Sequence, residues 1–102
     1  MMKQESYYIV FRSQGGGGQS SGDFETLQDA VKYADKVWND LDFSYYVIYS
    51  DNCAAYPYGS IAVFRGDQSE FEKNNGQTFQ EKQAQLDKWN REALAAREES
   101  SL

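Results

Sequence analysis

Along the chain, the period of the apolar positions changes several times, and each change marks an element. Tyr7-Tyr8-Ile9-Val10-Phe11 is a run of aromatic and β-branched residues, apolar on both faces, which predicts a strand. Ser13 to Asp23 holds Gly15 to Gly18 and then Gln19-Ser20-Ser21-Gly22, with few side chains to fix a path. A flexible Gly/Ser-rich loop is expected over 13–23. Helix punctuation follows: Thr26 can cap the amide of Asp29, and Glu25 and Asp29 put negative charge at the positive end of a helix dipole. From Leu27 the apolar residues fall at Leu27, Ala30, Val31, Ala34, Val37, Trp38 and Leu41, the stripe of a helix docked on a sheet.

Phe43 to Tyr49 predicts a second strand and Ser60 to Arg65 a third. The loop between them carries Cys53, Tyr56, Pro57, Tyr58 and Gly59, and its length suits an antiparallel connection better than a crossover. Two Ser/Thr-x-x-Glu signals come next, at Ser69 and Thr78. The second opens a polar C-terminal helix over 78–99, with Phe79, Leu86, Trp89, Ala93 and Ala96 on a narrow stripe interrupted by Lys82. So thin a stripe suggests partial docking, projection or contact with another chain. The expectation is one α+β domain over 1–102: a three-stranded, mainly antiparallel sheet in strand-helix-strand-strand-helix order. The first helix packs on the sheet, and a right-handed crossover gives the spatial order 2-3-1.

Charge narrows the partners. Sixteen acids oppose ten bases for a net charge of -6, spread over both halves of the chain with no basic segment. Direct binding to nucleic acid or to an anionic membrane is therefore not expected, because both need Lys and Arg. An acidic surface instead suits a protein partner with a basic surface. The N-terminal residues run into a strand without a long apolar stretch and Cys53 has no second cysteine to pair with, so a cytoplasmic location is expected.

Catalytic chemistry finds little to work with. The chain has no His, which removes the commonest general base and the commonest zinc ligand and leaves Cys53 without its usual activator. The carboxylate pairs Asp40/Asp42, Glu70/Glu72 and Asp23/Glu25 lie at element boundaries, where acids cap helices or stay solvated. The glycine run fails both phosphate-loop spacings: Ser21 stands where a dinucleotide motif needs Gly, and Asp23 where a P-loop needs Lys. No catalytic residue, cofactor or metal is expected.

The strand-helix-strand-strand-helix order over about residues 6 to 98 resembles the opening of ferredoxin-like domains, including RNA-recognition modules. That resemblance implies sheet aromatics able to stack bases. Val63-Phe64-Arg65-Gly66 departs from the module's Lys/Arg-Gly-aromatic signature, and neither a fourth strand after the second helix nor a basic rim is evident.

What remains is a surface rich in tyrosine. Tyr7, Tyr45 and Tyr49 are expected to share one sheet face, Tyr8 and Tyr46 the other, with Tyr56 and Tyr58 in the loop. Tyrosine and tryptophan give large contact area with little rotamer entropy lost. The expected function is a non-enzymatic protein-binding module or inhibitor that occludes a partner through Tyr7, Tyr45, Tyr49, Tyr56, Tyr58, Trp89 and the acids Asp40, Asp42, Glu70 and Glu72. In style it resembles the small acidic inhibitors that phages and mobile elements direct at host nucleic-acid machinery, anti-CRISPR and anti-restriction proteins included. The alternatives are a homo-oligomeric accessory domain pairing through Phe79, Leu86 and Trp89, and a small-ligand sensor or carboxylate enzyme.

Overall fold

The computed structural model describes residues 6–13, 17–50 and 58–101. Seven elements follow in order: β1 (Tyr7–Arg12), β2 (Gly18–Phe24), α1 (Leu27–Leu41), β3 (Tyr45–Ser50), β4 (Ser60–Gly66), α2 (Gln68–Asn75) and α3 (Phe79–Ser101). All strand pairs are antiparallel, in the order β2-β1-β3-β4. The chain is α+β with its first helix on the sheet, as expected, but it has four strands rather than three.

The fourth strand comes from the segment expected to be a flexible loop over 13–23. Gly18–Phe24 folds back on β1 and pairs Arg12 with Gly18, Val10 with Ser20 and Tyr7 with Phe24. An edge strand needs backbone groups more than apolar side chains, and most of β2 stays exposed. Glycine is required at its start: a Cβ on Gly18 would collide with the Phe11 carbonyl oxygen and lie 3.0 Å from Arg12 Cα.

The expected order 2-3-1 is also corrected. It placed the third predicted strand, now β4, at the centre, whereas the second, now β3, lies between β1 and β4. Tyr45, Tyr46, Val47 and Ile48 are consecutive and all buried, and only an interior strand can bury both faces. With β2 reversing the chain first, α1 returns β3 antiparallel to β1, and the ββαββαα order departs from the ferredoxin-like opening.

One face of the sheet carries α1. Thr26 Oγ1 accepts from the Asp29 amide at 3.1 Å, and Asp42 ends the helix in the left-handed region with its N–H on the Trp38 carbonyl. Ala30 and Ala34 let the helix approach Ile9, Phe11, Tyr46 and Ile48 closely, with Leu27, Val31, Val37 and Trp38 packed around them. Asp35 fastens the layer, accepting from Tyr46 Oη at 2.7 Å and from Arg65 Nη1 at 2.8 Å. The Arg65 guanidinium in turn lies 4.8 Å from the centre of the Trp38 ring.

The other face carries α2 and α3 over β3 and β4. Asp67 caps α2 two residues before the expected Ser69, accepting from the amides of Ser69 and Glu70. The Ser69 hydroxyl also donates to it at 2.7 Å, and that bond first, with those from the two amides, holds its carboxyl below the usual range. Thr78 and Glu81 exchange amide bonds at 2.8 and 3.1 Å, the reciprocal capping box read from the sequence. Phe71 and Phe79 then pack on Tyr45, Val47 and Phe64, the Phe64 and Phe79 rings stacking at 4.7 Å.

Two amides explain how so thin an apolar stripe docks α3. Gln83 Oε1 accepts from the Ile61 amide at 2.8 Å while its Nε2 donates to Ser60 Oγ at 3.0 Å. Asn90 Oδ1 accepts from the Tyr58 amide at 2.8 Å and its Nδ2 donates to the Gly59 carbonyl at 2.9 Å. Seven residues apart, they share a helix face with buried Leu86 and bind one amide of β4, at Ile61, and the backbone just before it, at Tyr58 and Gly59. Ala95, Ala96, Arg97 and Glu98 beyond them are all exposed. Among the described residues, no helix is long and apolar enough to cross a membrane.

Asn90→Ala should therefore destabilise the fold by about 2–3 kcal/mol, because it strips partners from two backbone groups under α3. Urea unfolding checks this, and a loss no larger than that of an exposed-site control such as Glu92→Ala would contradict the role.

Candidate functional site

The register of β1 on β3 decides which tyrosines meet. Tyr8 pairs with Tyr49, and Tyr7 with Ser50, so Tyr8 and not Tyr7 shares a face with Tyr45 and Tyr49. Side chains alternate faces along a strand, so Tyr8, Val10 and Arg12 of β1 line up beside Tyr49, Val47 and Tyr45 of β3 on the side that carries α2 and α3. The two helices make their main contacts with β4 and β3, and Tyr8, Val10 and Arg12 of β1 remain half-buried beside them. The result is a groove of about 450 Å³ with β1 and β3 as its floor. Its wall is formed by Phe71, Asn74 and Asn75 of α2 and by Lys82, Leu86 and Trp89 of α3.

The two ends of the groove differ in character. At one end Tyr8 stacks on Tyr49 with ring centres 5.1 Å apart. Trp89 meets Tyr58 edge-on at 5.8 Å there, and those two rings are 40% and 57% exposed. At the other end lie Arg12 and Tyr45, paired across the strands, and Asn74 Nδ2 donates to Tyr45 Oη at 3.0 Å. Lys82 projects from the helix wall between Phe79, stacked on Phe64, and Leu86.

Two phenols of β3, the buried Tyr46 and the half-buried Tyr49, are held in their neutral form. Burial, with Tyr8 and Tyr45 nearby, pushes Tyr49 up to about 12 against the opposing pull of Arg12. On the opposite face, burial and the hydrogen bond to Asp35 push Tyr46 up to about 12, against the opposing influence of Arg65.

The residues marked from the sequence divide between the groove and elsewhere. Tyr45, Tyr49, Tyr58 and Trp89 line the groove. Tyr7 packs against the α1 core on the opposite face. Tyr56 and Cys53 lie outside the described residues. Asp40 and Asp42 end α1 on one layer, while Glu70 and Glu72 belong to α2 on the other. Glu70 is buried with its carboxylate 3.6 Å from Lys73 Nζ, so these four acids do not share a layer. Phe79 and Leu86, which the oligomeric alternative would use, pack inside the chain itself.

Arg12, Asn74, Asn75 and Lys82 line the groove without having been marked from the sequence, and Tyr8, expected on the face of Tyr46, joins them. Their assembly needs the β1–β3 register and the seat of α3, neither of which a local pattern encodes. The interruption of the α3 stripe at Lys82 is the one trace, and it marks where a cation enters the wall. Among the described residues, no group of three or more His, Cys, Asp or Glu could hold a metal ion. Comparison with protein-family models, with curated proteins and with solved structures finds no match to the chain.

Folding favours the neutral form of Tyr46 and Tyr49. Their stabilisation is complete below about pH 10 and lost as the pH rises through about 12. Unfolding midpoints measured across this range should fall steeply. Tyr46→Phe, which cannot ionise, should shallow that fall, and an unchanged slope would contradict the assignment.

Proposed function

We propose that the protein is a non-enzymatic protein-binding module that seats a segment of its partner in the groove between β1 and α3 and acts by occluding that segment. The observation that carries this reading is the convergence of Tyr8, Tyr45, Tyr49, Tyr58 and Trp89 on one concave surface, with Tyr58 and Trp89 exposed at its mouth. Rigid aromatic rings in a recess are the side chains from which binding hot spots are built. The carboxylates contribute less to this reading. Their division between the two layers gives no support to the narrower expectation of an inhibitor that presents an acidic face to nucleic-acid machinery.

Trp89 is the residue to change, because it is large, exposed at the groove mouth and not part of the buried core. Immobilised wild-type protein and Trp89→Ala should be compared for the proteins they retain from an extract of the native host. The expected result is a protein held by the wild type and reduced at least tenfold on the variant, since a hot-spot aromatic contributes about 2 kcal/mol or more. Equal retention of every captured protein would overturn the groove as the contact surface.

A further inference from the structure

Arg12 and Lys82 are the only charged residues, among those described, that line the groove, and both are half-buried in a chain of net charge -6. Neither makes an ion pair or a side-chain hydrogen bond with another described residue. The contrast with the other cations near the core is direct. Arg65 is held by Asp35 and Trp38, and Lys73 by Glu70. A cation withdrawn from water regains its solvation loss only from an anion or from acceptors directed at it. Among the described residues that line the groove, no carboxylate supplies one.

From this, and resting on the reading of the groove as a protein-binding site, we infer that its occupant is a short extended peptide segment that carries acidic and aromatic side chains. The acidic side chains lie against Arg12 and Lys82, and the aromatic ring lies at Tyr8, Tyr49 and Trp89. The dimensions suit an extended chain. From Tyr8 to Arg12 the floor follows four residue steps of β1, roughly 13 Å, which an extended peptide of four or five residues spans. α2 and α3 make their main contacts with β3 and β4, and Tyr8, Val10 and Arg12 stay partly accessible along the floor for such a chain to meet. Charge selects the acid: a carboxylate at Arg12 and Lys82 gains charge-assisted hydrogen bonds, whereas a basic side chain there meets like charge. Asn74 and Asn75 add side-chain amides to the wall. This reverses the sign expected of the partner from net charge alone, because the local field in the recess is set by the two cations that line it.

The test uses the intact chain and four probes: the peptides acetyl-Trp-Thr-Glu-Glu-amide, acetyl-Trp-Thr-Gln-Gln-amide and acetyl-Trp-Thr-Lys-Lys-amide, and free indoleacetate. Binding is followed by chemical-shift titration, reading the Trp89 indole N–H and the backbone amides of Arg12 and Lys82. The Glu-Glu peptide should shift all three saturably. Its affinity should exceed that of the Gln-Gln peptide by about tenfold or more, with the Lys-Lys peptide weaker still, and should fall as salt is raised. Arg12→Gln and Lys82→Gln should each narrow the ratio between the Glu-Glu and Gln-Gln affinities. Equal binding of the Glu-Glu and Gln-Gln peptides in the groove would overturn the acidic preference while leaving the groove as a protein-binding surface. Indoleacetate binding as tightly as the Glu-Glu peptide would overturn the peptide in favour of a small aromatic acid. If none of the probes moves the groove signals, the inference fails, and partner retention by Trp89→Ala separately decides whether the groove reading fails with it.

Discussion

The antiparallel pairing of β1 with β3 is the constraint on which the rest of the molecule depends. Ile9 lies opposite Ile48 and Phe11 opposite Tyr46, and these four side chains form the surface that α1 covers. A strand shifted by one residue would exchange its two faces, so burying this set on one side forces Tyr8, Val10 and Arg12 together on the other. The core and the groove are thus two consequences of a single register. The aromatic floor of the groove is the reverse side of the sheet that carries the α1 core.

A second constraint shapes the groove from above. Gln83 and Asn90 tie α3 along the edge of β4, which fixes where Lys82, Leu86 and Trp89 stand relative to the floor. Because α3 is held beside β4 and α2 packs next to it, both helices make their main contacts with β3 and β4. The groove lies where that helix layer meets the β1 and β3 floor. Its cations follow from the same geometry: Arg12 closes β1, and Lys82 sits between the apolar anchors of α3.

The elements with strong local signals were legible before any fold was known. Leu27 to Leu41 repeats at helical spacing behind a Thr26 cap, and Thr78 with Glu81 marks the start of α3, because capping and amphipathicity act over a few residues. β2 was not legible. Gly18, Gln19, Ser20 and Ser21 have loop composition, and they form a strand because β1 offers them a backbone edge. The strand order failed for a related reason: burial on both faces of β3 requires neighbours on both sides, and those neighbours come from distant parts of the chain. Of the tyrosines marked from the sequence, Tyr45, Tyr49 and Tyr58 reached the groove, while the face of Tyr7 depended on the register and went the other way.

By itself, the sequence determined an α+β chain, the position of α1, the start of α3, the absence of histidine chemistry and an excess of aromatic surface beyond what one core requires. These follow from composition and from interactions between residues close along the chain. Only the tertiary structure decided that Tyr8 stacks on Tyr49, that two helix amides tie α3 to the start of β4 and the turn before it, and that Arg12 and Lys82 line one recess of an acidic protein. Each joins residues tens of positions apart in the chain, and their proximity is settled by which hydrogen-bond ladder the strands adopt and where a helix finds partners for its polar side chains.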